Sequence, residues 1–190
     1  MLPLGRRDPY FTHTWLGAEN VQLQRTPFGN TYAAGSEITL LESTAGDLLA
    51  VGGKSRLERE VKVDAALAGG SIMVRAPIGQ DLRLAGGTLT IAAAVGGELV
   101  ATGGNIEILE ATRINGPSWI AGGNVSFHGS AGQGARIYAR SLVLAGQING
   151  DAHIVAQQIS FSREAHNGQS TIYEPYSAGS RNRQQRRRNR

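Results

Sequence analysis

Four acidic residues recur at a fixed interval: Asp47, Asp64, Asp81 and Glu98, each 17 residues after the last. Carboxylates stacked at such a spacing could offer Ca²⁺ several hard oxygen ligands. The competing chemistry is structural. Asp favours the turn after a glycine, where its side chain accepts local backbone N–H bonds while solvent screens the repulsion between neighbouring charges. The structural reading is preferred, because the calcium-binding nonapeptide GGxGxDxUx is absent. No metal and no cofactor is expected.

Other chemistry-bearing residues form no constellation. His13, His128, His153 and His166 fall at unrelated places, and none is paired at H-x-x-x-H spacing. Nothing resembles a nucleophile elbow, a phosphate-binding loop or a dinucleotide glycine fingerprint. Cysteine is absent, which removes disulfides and thiolate metal sites. No catalytic residue is assigned, and the expectation is a protein that is not an enzyme.

Charge is unevenly placed. Arg181, Arg183, Arg186, Arg187, Arg188 and Arg190 crowd the last stretch with no acid among them, so taking six positive charges from the net +4 leaves −2 over residues 1–179. This tail has the composition of a disordered basic arm, able to contact an anionic surface, membrane or nucleic acid, through charge alone. The alternative is a solvated terminus that aids solubility.

The elements that carry these residues follow from a repeat. The acid position continues as Pro117, Gly134 and Asp151, after one 19-residue step and two of 17. A second column keeps the same step: Ile38/Leu40, Ser55/Leu57, Ile72/Val74, Leu89/Ile91, Ile106/Ile108, Val125/Phe127, Leu142/Leu144 and Ile159/Phe161. The two extra residues therefore lie between Ile108 and Ile114. Within a copy the apolar period is two, which means strand.

An odd repeat cannot alternate without a slip in phase. The pairs Gly52/Gly53, Gly69/Gly70, Gly86/Gly87, Gly103/Gly104 and Gly122/Gly123 mark it, as corners where glycine reaches positive φ and tolerates close backbone approach. A second bend falls in the VGGE, IGQD and INGD segments. A 17-residue copy is too small to bury its own apolar side, so copies must stack, each strand pairing in parallel with its equivalents.

The predicted fold is all-β, a single-stranded parallel β-solenoid. Seven to eight turns at about 4.8 Å each make a rod roughly 35 Å long. Its core is small and aliphatic, in line with 6% aromatics and 26 glycines. The ladder expected to hold it together is Ile72, Val74, Leu89, Ile91, Ile106, Ile108, Val125, Phe127, Leu142 and Leu144. Steps of 10 and 7 between glycine pairs differ from the six-residue period of the left-handed hexapeptide helix of many acyltransferases.

The units AGDLLAVGG, IGQDLRLAGGTLTI, VGGELVATGGNIEI and INGDAHIVAQQISF resemble the repeats of bactofilins, polymer-forming cytoskeletal proteins, over residues 34 to about 164. The resemblance implies a right-handed β-helix with poorly structured ends. It also implies nucleotide-independent filament assembly and a scaffold role at the bacterial envelope, in shape or localisation. The aromatic N-terminal segment and the Arg-rich tail depart from the family.

Three regions follow: an irregular N-terminal segment or cap at 1–33, the solenoid at 34–164, and a C-terminal extension at 165–190 ending in the basic tail. The open ends of a solenoid present unpaired strand edges that recruit another chain, so the expected partner is a second copy. Two other classes stay open, an acyltransferase-like trimer and a surface binding module with an exposed Thr or aromatic ladder. Thr39, Thr90 and Thr102 do not stack at consecutive equivalent positions. With no signal peptide or membrane-length apolar run, the expected location is cytoplasmic, with membrane association through the basic tail.

Overall fold

The computed structural model of the chain describes residues 13–24, 29–161, 166–167 and 170–173, the last two stretches by backbone alone. All regular structure among them is strand. The main sheet runs β1 (His13–Gly17), β3 (Asn30–Leu40), β4 (Leu48–Leu57), β5 (Ala65–Val74), β6 (Leu82–Ile91), β8 (Leu99–Ile108), β10 (Ser118–Phe127), β12 (Ala135–Leu144), β14 (Ala152–Phe161) and β16 (Ser170–Tyr173), with β2 (Asn20–Leu23) also on β3. Every pairing is parallel, and each long strand lies on the next turn's equivalent, as in Ile72↔Leu89 and Val74↔Ile91. A second sheet stacks β7 (Ala94–Val95), β9 (Arg113–Ile114), β11 (Ser130–Ala131), β13 (Gln147–Ile148) and β15 (His166–Asn167). Single bridges Thr44↔Val61↔Ile78↔Val95 extend it back through the earlier turns. The architecture is a parallel β-solenoid.

Each turn contributes three inward runs. In β6 the buried residues are Leu82 and Leu84, then, after the glycine pair, Leu89 and Ile91; Val95 closes the third side. Burial alternates on either side of Gly86/Gly87 but in opposite phase, which is the slip that an odd repeat requires. The column Leu40, Leu57, Val74, Ile91, Ile108, Phe127 and Leu144 is sealed from solvent along the rod. Each such side chain contributes about 1.5–3 kcal/mol of hydrophobic stabilisation.

The glycine pairs work differently from expectation. The strand runs unbroken through them, and positive φ occurs only at Gly29, Gly134 and Gly150 among the described residues. Close approach is what excludes a side chain. A Cβ on Gly69 would sit 2.0 Å from the Gly52 carbonyl oxygen, and Gly52, Gly86 and Gly103 face the preceding carbonyl at 2.4 to 2.6 Å. The second members, Gly53, Gly70, Gly87, Gly104 and Gly123, meet theirs at 2.8 to 3.0 Å. At Gly122 the carbonyl of Gly103 has receded to 3.2 Å, and Ala139 takes the same place one turn on.

The extra residues fall where the spacing put them. Ile91 pairs with Ile108 at 17 residues, whereas Ala94 pairs with Arg113 at 19. The added loop is pinned by Thr112, fully buried, whose hydroxyl donates to the Ile91 carbonyl at 2.7 Å.

Two boundaries differ from expectation. The solenoid is already formed at His13 rather than from residue 34: β1 and β2 form the two arms of an earlier turn, with Val21 on Ile38 and Leu23 on Leu40. That turn has Ala18 and Glu19 in place of a glycine pair, so the repeat did not announce it. Beyond residue 165, β15 and β16 still pair with the stack, at steps of 19 and 18. Nine turns are thus stacked through β14, with β16 beginning a tenth.

Candidate functional site

The acid column sits at the edge where each turn enters its first long-strand arm. Its carboxylates do bond backbone N–H groups, but not local ones. Asp47 Oδ1 accepts from the Asp64 N–H at 3.3 Å, Asp64 Oδ1 from Asp81 at 2.9 Å, and Asp81 Oδ1 from Glu98 at 2.8 Å. Asn30 begins the series by accepting from Asp47 at 3.1 Å. Every member therefore ties its turn to the following one, a role that a search for acids misses at Asn30. Pro117 ends it, having no N–H to offer Glu98.

Arg83 closes the far side of this ladder. It donates to Asp81 Oδ2 at 2.8 Å and lies 3.8 Å from Glu98 Oε2. The Glu98 N–H, with Arg83 beside it, holds the Asp81 carboxyl below its ordinary value against the opposing effect of burial. Among the described residues no group of three or more His, Cys, Asp or Glu side chains is placed to hold a metal. His13 heads the acid column and packs edge-on against Tyr32, while His153 lies on the outer face near Tyr138.

The two outer faces differ in chemistry. On the first arm, one column reads Trp15, Tyr32, Leu49, Ala66, Arg83, Val100, Trp119, Arg136 and His153, and the next includes Val51, Ala68, Ala85, Ala121 and Tyr138. Trp15, 74% exposed, stacks on Tyr32 at 4.2 Å. Arg136 stands 4.3 Å over the Trp119 ring. The second arm is polar, with Ser71, Thr88, Asn105, Asn124 and Ser141 in consecutive turns and Asn124 donating to Asn105 at 2.8 Å. The Trp15–Tyr32 and Trp119–Arg136 contacts each join residues 17 apart, so their signal was in the numbering; it needed the strand register to be read.

The ends are unequal. In the first turn Val21 and Leu23 are only 4% and 3% exposed. In the last full turn β16 covers Ala152 to Val155 alone, leaving the second arm of β14 paired on one side among the described residues. Phe161 is 51% exposed there, while Leu144 beneath it is at 0%.

The predicted ladder residues Ile72, Val74, Leu89, Ile91, Ile106, Ile108, Val125, Phe127, Leu142 and Leu144 come together as one buried stack. The basic tail, Arg181 to Arg190, lies outside the described residues. No described helix is long and apolar enough to cross a membrane. Comparison with protein-family models, curated proteins and solved structures finds no match.

Proposed function

We propose that this chain is a bactofilin-like, non-enzymatic scaffold that self-associates through its solenoid ends and organises the bacterial envelope or cytoskeleton. The observation that supports this reading best is the second arm of β14. Ile159 and Phe161 continue a ladder that is sealed everywhere below them, and the second arm of the strand carrying them is paired on one side only among the described residues. An apolar step with an open parallel edge is a template for another chain. The resemblance of the repeats to bactofilins gives the assembly its biological setting.

The test is a measurement of mass. Wild-type protein should sediment or scatter as an oligomer or filament, and Phe161→Arg should reduce the assembly to monomer with an unchanged circular dichroism spectrum. A wild-type chain that stays monomeric at high concentration sinks the proposal.

A further inference from the structure

The edge that bears the acid ladder changes character in the late turns. From Asn30 to Asp81 the position always supplies a side-chain oxygen to the next turn's N–H. At 134 the residue is glycine and supplies nothing. The gap belongs to the backbone itself: Gly134 has φ +87°, and a Cβ there would lie 2.6 Å from the Asp151 carbonyl oxygen. One turn on, the Asp151 N–H is the counterpart of the N–H groups of Asp64, Asp81 and Glu98. It meets no acceptor among the described residues.

The arginines provide an internal comparison. Arg83 and Arg136 hold equivalent positions, each two residues after the ladder position of its turn. Arg83 is bound by the carboxylate of its own turn, Asp81. For Arg136 that carboxylate is replaced by Gly134. Its guanidinium rests on Trp119 and forms no ion pair among the described residues. At Asp81 one carboxylate satisfies two donors, a next-turn N–H and an arginine. At Gly134 both donors remain and the carboxylate is missing. They border a shallow cleft that also includes Trp119, Gln133 and His153.

We propose that this cleft binds a carboxylate brought by a ligand, seated over Gly134 where the repeat would place an aspartate. One oxygen takes the Asp151 N–H and the other the Arg136 guanidinium, a charge-assisted pair of hydrogen bonds. Trp119 steadies the guanidinium from below. The Gln133 amide and the Asp151 carboxylate sit beside the seat to meet hydroxyl or amide groups next to the ligand's carboxylate. Sugar acids and peptide C-termini share that chemistry.

Isothermal titration calorimetry of the full chain with D-glucuronate, N-acetylglycine and D-glucose tests the assignment. At least one acid should bind saturably and glucose should not; the tighter acid names the source of the carboxylate. Arg136→Gln should weaken binding by at least about tenfold, and Arg83→Gln should leave it unchanged. The proposal is overturned if neither acid binds, if glucose binds as well as the acids, or if Arg136→Gln retains wild-type affinity. Matching circular dichroism spectra for the two variants keep a folding defect from passing as a binding defect.

Discussion

Asp64 can serve its neighbours as a charge or as a hydrogen-bond acceptor, and its own column separates the two. Asn30, an uncharged amide, holds the Asp47 N–H in the same manner, so the position asks for an oxygen and not for a charge. Asp64→Asn should change stability by less than about 0.5 kcal/mol, while Asp64→Ala, which orphans the Asp81 N–H, should cost about 1–2 kcal/mol in denaturant unfolding. Asp81 adds a dependence on pH. Its carboxyl titrates lower in the folded chain than in the unfolded one, so its stabilisation is fully present above the unfolded value of about 3.9 and disappears as pH falls through the folded value. Thermal melts taken between about pH 5 and pH 2 should therefore fall less steeply for Asp81→Asn than for wild type.

At the scale of the strand, the corner is governed by carbonyl oxygens. Gly69→Ala drives a Cβ into the Gly52 carbonyl at 2.0 Å, a backbone contact with no flexible side chain to yield, and should cost about 2–4 kcal/mol. Gly122→Ala, where the turn above already carries Ala139, should cost less than about 1 kcal/mol in the same urea titration. The contrast explains what the sequence could and could not disclose. Period and phase were legible because burial imposes them: Val74 and Ile91 must both face inward, and only a 17-residue step puts one over the other. The reason for glycine was not, since positive φ and close approach select the same residue type. The first turn was not legible because Ala18 and Glu19 break the glycine signature, although Val21 and Leu23 keep the step. The vacancy at Gly134 was visible as a letter in the column, but it acquires meaning only once the ladder's acceptor is known to serve the turn above.

As a whole the molecule is a stack in which, among the described residues, each turn's strands pair only with those of the adjacent turns. Removing one complete period, residues 65–81, would join Asp64 to Leu82 and lay Leu82 over Leu48 and Leu89 over Ser55, preserving both sheets. That variant should fold, with a circular dichroism spectrum scaled to its length and a melting temperature near that of the parent. Removing residues 65–80 leaves one residue too many at the junction and should melt well below it, because a one-residue slip turns inward side chains outward. The shared register therefore makes the rod's size a counted quantity. Evolution or an engineer can lengthen it only by whole rungs, which suits it to set a distance between whatever is attached at its two extremities.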